Sequence, residues 1–135
     1  MFETKIASVI RDDLAVWQKL NVTAFLTSGI VGAAEGLLGE AYEDADGNQY
    51  NCLLVQPVIV LAADAALIRK IYDRAMTRDV RLSLYIEDMF ETGHDTANRA
   101  AVKQHPASAL NVVGLALRAE RKIVDKITKG AKMHP

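Results

Sequence analysis

The chain has 135 residues, 50% of them hydrophobic and 24% charged, which suits one globular domain over residues 1–135 and excludes a disordered or fibrous polypeptide. Its net charge of -1 removes any global electrostatic pull toward nucleic acid or an anionic membrane, and its single cysteine, Cys52, excludes an internal disulfide and a cysteine zinc site. The sequence has neither a signal-peptide core at its start nor a run of about 18 apolar residues, so it points to a cytoplasmic protein without a membrane span.

Lys5 to Arg11 reads as a first strand carrying Ile6, Val9 and Ile10, and the acids Asp12 and Asp13 end it and favour a helix start. In the long helix that follows, Val16, Trp17, Leu20, Val22, Phe25, Leu26, Ile30 and Val31 leave almost no charged face after Lys19. Such a helix is expected to be covered by the sheet and by a second copy of the chain. Its polar residues Asn21, Thr23, Thr27 and Ser28 either line a cleft or bond their own helix backbone. Gly29, Gly32, Gly36 and Gly39 then thin the helix propensity. Asp46-Gly47 between Tyr42 and Tyr50 marks a two-residue hairpin turn. Asp44, Asp46 and Asn48 imitate the start of a calcium loop, but Gly47 stands at its fourth position and Val55 where the bidentate glutamate belongs, so no calcium is expected there.

Val58 to Ala62 is predicted to be a buried strand, and Asp64 to cap a helix that runs to Arg78 with Ala66, Leu67, Ile71 and Ala75 as its inner stripe. A strand over Leu82 to Ile86 completes a strand-helix-strand unit, whose two strands are expected to pair in parallel. Glu87 to Gln104 is a polar loop with a helical piece around Thr96 to Val102, at a strand end of the kind where ligands gather in α/β sheets. Asn111 to Leu117 is an apolar run that suits a strand buried on both faces. After it, Ile123, Val124, Ile127 and Ala131 trace an amphipathic helix. The prediction is an α/β fold, a small sheet covered by helices.

The ending IVDKITKGAKM, preceded by the strand NVVGLAL, resembles the C-terminus of the type II peptidyl-tRNA hydrolases, with Val124, Asp125, Lys126, Ile127 and Thr128 in place. Ile10-Arg11-x-Asp13-Leu14 is similar to that family's first strand and turn, Lys19 falls close to its helix-start lysine, and Asp88 and Thr92 match the acid and threonine of a motif after its third strand. The resemblance covers nearly the whole chain outside Tyr42 to Tyr50. It implies a three-layer α/β/α fold with a mixed four-stranded sheet, a homodimer, and a cleft in which Lys19, Asp88 and Thr92 serve as catalytic residues. Two departures concern the activity. The helix reads Val22-Thr23-Ala24-Phe25-Leu26 where the family has Ala-Ala-Gln and a nearby His, and the motif arginine is Glu91. Glu91 opposes a polyanion, so tRNA binding is not expected, and the chain resembles a divergent, uncharacterised bacterial branch.

In the cleft so implied, the Lys19 ammonium would polarise a substrate oxygen while the Asp88 carboxylate holds it, and Thr92 adds a hydroxyl. The alternative is an ordinary ion pair beside a turn threonine. Asn21, His94 and Asn98 are the candidate substrate-binding residues. His94, His105 and His134 share no i, i+4 spacing and no carboxylate pattern completes a metal site, so neither metal nor cofactor is expected. Cys52 reads as an inert, half-buried thiol, and Asp95 with Arg99 as a helix-surface pair. Two function classes follow: a hydrolase acting on an ester or amide through Lys19, Asp88 and Thr92, and a non-catalytic dimeric module that binds a small ligand. Contact between Lys19 and Asp88 would separate them.

Overall fold

A computed structural model describes residues 2–135. Strand β1 (Thr4–Arg11) leads into helix α1 (Val16–Gly32), and a short hairpin of β2 (Tyr42–Glu43) and β3 (Gln49–Tyr50) follows. Next come β4 (Val58–Ala63), α2 (Ala65–Thr77) and β5 (Ser83–Ile86), then a 3-10 turn (Glu87–Glu91) and α3 (Asp95–Lys103). The chain closes with β6 (Val112–Glu120), α4 (Arg121–Ile127) and β7 (Lys132–Met133).

The sheet is mixed, with strand order β5-β6-β1-β4-β7. It has five strands where four were expected, because Gly130 at φ +99 stops the last helix and lets Lys132 and Met133 pair antiparallel with Ala62 and Leu61. Ala131, expected on the helix stripe, therefore lies outside α4. A second correction concerns β4 and β5. They run in the same direction but do not pair, since β1 lies parallel to β4 and β6 lies antiparallel to both β1 and β5. The first and last long strands thus insert between the two strands of the unit, and they can do so because both are nearly continuous apolar runs that tolerate burial on both faces.

Side-chain alternation along these strands makes two cores. Ala7, Val9, Leu115 and Leu117 pack against Ile68, Ile71, Tyr72 and Ala75 of α2 and Val124 and Ile127 of α4. On the opposite face, Ile6, Ile10, Val113 and Ala116 pack against Val22, Leu26 and Ile30 of α1. Each large aliphatic side chain so buried contributes about 1.5–3 kcal/mol. Asp64 caps α2 by accepting from the Leu67 N–H at 2.8 Å, whereas the inner stripe is Ile68, Ile71, Tyr72 and Ala75, and Ala66 faces out. Rotation from that cap decides the face, placing the fourth helical residue inward rather than the second.

Two further expectations, the two-residue hairpin turn and a half-buried Cys52, are revised, and one face of α1 is open in the single chain. Helix α1 is not covered within one chain: Val16 is 72% exposed, Trp17 62% and Leu20 67%. The hairpin uses a longer loop than two residues, because only Gly47 takes positive φ, at +88. Its N–H donates to the Asp44 carbonyl at 3.1 Å, and the Asp44 N–H donates to the Asn48 carbonyl at 3.1 Å, giving a simple turn followed by a left-handed glycine. The Asp44 carboxylate accepts from the Tyr50 hydroxyl at 2.7 Å and from Asn48, which holds its pKa down at about 2. Cys52, after this hairpin, is exposed rather than half-buried.

Candidate functional site

The hydroxyls of α1 report how its polar residues are used. Thr23 donates to the Lys19 carbonyl at 2.7 Å, Thr27 to the Thr23 carbonyl at 2.8 Å and Ser28 to the Phe25 carbonyl at 2.6 Å, so all three bond their own helix. Asn21 does not. Together with Trp17 and Phe25 it forms an i, i+4, i+8 stripe along one side of α1, and this stripe is one wall of a cavity of about 220 Å³. Tyr85 of β5, Met89 and Phe90 of the 3-10 turn, the loop Thr92-Gly93-His94, and Asp95 and Asn98 of α3 supply the rest. The start of α1 follows β1 and the 3-10 turn follows β5, so the cavity lies at the carboxyl ends of two strands that run the same way. That is the usual place for a ligand in an α/β sheet.

Four aromatic rings support it in sequence. Trp17 meets Phe90 edge-on at 6.2 Å between centroids, Phe90 meets Tyr85 at 5.3 Å, and Tyr85 meets Phe25 edge-on at 5.9 Å. Burial raises the Tyr85 phenol above its ordinary pKa, while the Asn21 carboxamide beside it pulls the other way. The phenol is therefore neutral and able to donate at physiological pH. Across the cavity the Thr92 hydroxyl lies 2.9 Å from the Met89 carbonyl and in contact with the Asn98 carboxamide oxygen. His94 acts as the cap of α3, its Nδ1 accepting from the Ala97 N–H at 3.2 Å, and Asp95 pairs with Arg99 as expected.

The 3-10 turn is anchored from below. Arg11, at the end of β1, holds Asp13 at 2.6 Å, the Asn111 carboxamide oxygen at 3.1 Å and Glu87 at 3.7 Å. Asn111 also contacts Glu87. With Glu87 fixed to the ends of β1 and β6, Met89 and Phe90 are turned toward α1, and Asp88 toward the end of α3. There its carboxylate lies 2.9 Å from His105 Nε2. That hydrogen bond holds the Asp88 carboxyl below the usual carboxylate range.

The candidate residues thus divide. Asn21, Thr92, His94 and Asn98 line one cavity, but Lys19 and Asp88 do not meet. Lys19 lines a separate recess with Ile10, Leu20, Thr23, Ala24, Thr27, Val60 and His134, and Asp88 has taken His105 as its partner. Helix geometry is the reason: two residues along a helix rotate by roughly 200°, so a helix that presents Asn21 to the 3-10 turn presents Lys19 to the other side. Sequence reasoning missed His105, which is 17 positions from Asp88 and has no local signal. It also missed the rings of Trp17, Phe25, Tyr85 and Phe90. The spacing of Trp17, Asn21 and Phe25 by fours was the available sign of a shared face.

Among the described residues, no three of His, Cys, Asp and Glu come together as a metal site, and no helix is long and apolar enough to cross a membrane. A mixed five-stranded sheet with helices on both faces and an aromatic cavity at the strand ends defines a small α/β protein with a ligand-sized cleft. The family described as "Protein of unknown function (DUF2000)" matches residues 4–135, and the chain belongs to it. A solved structure of a protein of unknown function from Agrobacterium tumefaciens strain C58 is 59% identical, covers 100% of each chain and superimposes with a TM-score of 0.98. No curated protein matches the chain. The family is of unknown function, in keeping with the expected uncharacterised branch, but these matches carry no evidence of kinship with type II peptidyl-tRNA hydrolases.

Proposed function

We propose that this DUF2000 protein is one domain that binds a small, flat, uncharged molecule in the cavity between α1 and the 3-10 turn. One observation carries the reading: four contacting aromatic rings and three amide or hydroxyl side chains, Asn21, Thr92 and Asn98, converge on the same space. Rings give sequence-independent stacking area, and a carboxamide offers both a donor and an acceptor to the edge of a planar ligand. No lysine or arginine lines the cavity, and the carboxylate of Asp95 is held by Arg99, so charge recognition contributes little there. At about 220 Å³ it suits a single ring with polar substituents rather than a molecule filling the 300–1,000 Å³ of common ligand sites. Trp17 is the only tryptophan, so its fluorescence reports the cavity directly. Titration with nicotinamide, benzamide and free nucleobases should give a saturable change for at least one, weakened about tenfold or more in Asn98→Ala. No response from any ring amide would remove the reading.

A second reading, hydrolysis of an ester or amide on a peptidyl-tRNA hydrolase II-like fold, has Asp88 and His105 in its favour. A carboxylate 2.9 Å from an imidazole is an orienter beside a base, and Asp88 directly precedes the cavity-wall residues Met89 and Phe90. Thr92 remains on the cavity rim, while Lys19 has no part in this version. Release of p-nitrophenol from short acyl esters, lost in His105→Asn, is its test; equal rates in both proteins would end it. The outward row Val16, Leu20 and Ala24 carries no charge of its own and is the face that a second copy would cover, with Lys19 at its border. A monomeric mass by light scattering at micromolar concentration would contradict that dimer.

A further inference from the structure

Beside the carboxyl end of α1, two arginines line one recess and neither has a partner. β5 pairs with β6 so that Ser83 lies opposite Ala116 and Leu84 opposite Leu115. Arg81 lies two residues before Ser83, and Arg118 two residues after Ala116 in β6. Both line a recess closed by Ile30, Ala33 and Ala34 at the end of α1. Two like charges that share one recess repel each other. Here nothing among the described residues relieves them: neither guanidinium has a hydrogen bond or ion pair, and Arg118 Nε is buried with no acceptor. Arg11, Arg69, Arg74 and Arg99, by contrast, are each held by carboxylates or carbonyls. Asp79 lies on the same wall and bonds to neither arginine, and the α1 carboxyl end adds only a partial negative charge.

We propose that Arg81 and Arg118 form a binding site for an oxyanion group, a phosphate or a carboxylate, that bridges the two guanidinium forks. A planar guanidinium presents paired N–H donors that match two oxygens of such a group, and the bridging charge turns the repulsion between the two arginines into attraction. The small side chains of Ala33, Ala34 and Ala119 leave the recess open for it. This site is distinct from the aromatic cavity, and its failure would leave that reading untouched.

The test uses the full chain at low ionic strength, with sodium chloride matched to each added salt. Inorganic phosphate or acetate should raise the melting temperature saturably, and whichever does so at lower concentration names the group. Arg81→Gln should weaken that apparent affinity about tenfold or more. The same exposed substitution should leave the anion-free protein as stable or more stable, because it removes a like-charge neighbour, whereas a purely structural Arg81 would lose stability. Arg118→Gln provides the second arm, with the same loss of anion response. Equal anion responses in wild type and both variants, or no saturable response to phosphate or acetate in the wild type, would overturn the proposal.

Discussion

Gly114 is where the position of α1, and with it the wall of the aromatic cavity, is set. A Cβ built on Gly114 would lie 2.5 Å from Val22 Cγ1 and 3.1 Å from Leu26 Cδ1, both on the buried side of α1. Ordinary van der Waals contact begins at 3.4 Å, so Gly114→Ala requires α1 to retreat by about 1 Å or Val22 to leave its rotamer. Overpacking of this kind costs about 1–3 kcal/mol, and the loss of glycine freedom in the unfolded chain returns about 0.4–1 kcal/mol. The net expectation is a destabilisation of about 1–2 kcal/mol, read as a lower urea midpoint at unchanged slope. Val22 follows Asn21 directly, so the same retreat should weaken any ligand response of Trp17. Combining Gly114→Ala with Val22→Ala removes the closest clash, and the double variant should lose less stability than the sum of the two single losses. A Gly114→Ala protein as stable as wild type, or strictly additive losses, would refute this account of how α1 is seated.

The pair of Asp88 and His105 has a defined acid limb. Because the Asp88 carboxyl is held below 3.8 when folded, its contribution is complete above that value and is lost as pH falls through the lowered value. The melting temperatures of wild type and Asp88→Asn should therefore differ at pH 5 and converge in strong acid, and a gap independent of pH would contradict the pairing. Ser8 is fully buried in β1 and its hydroxyl has no hydrogen-bond partner. Ser8→Ala removes a desolvated polar group without enlarging a neighbour, so it should raise stability by about 1 kcal/mol or more, and a loss in urea denaturation would show that the hydroxyl is satisfied in solution.

The parts of the fold that were legible are those written in local pattern. β1, β4 and β5 fall within one residue of their predicted ends, β6 starts one residue later than predicted and runs three residues further, and the Asp64 cap is where an acid before an apolar helix should place it, because each depends on residues close in sequence. Pairing of β5 with β6 rather than β4 was hidden, since apolar β-branched runs carry no partner label and either neighbour would bury them equally. The site shows the same division more sharply. Asn21, Thr92, His94 and Asn98 line one cavity, and the sequence singled them out in different ways: Thr92 by the resemblance to the hydrolase motif, Asn21 by its place near the helix start, and His94 and Asn98 by their place in the polar stretch after a strand end. Lys19 was placed with Asp88 because the resemblance puts the matching positions in one cleft and because it is the lone charge of an apolar helix, but a lysine has a long stem that can lie along apolar surface while its ammonium reaches water. Such a residue does not require an ionic partner, so its isolation in the sequence is weak evidence of a site. Asp88 is shorter and sits on a turn pinned by Arg11 through Glu87, so its partner is fixed by the backbone, and the geometry selects His105.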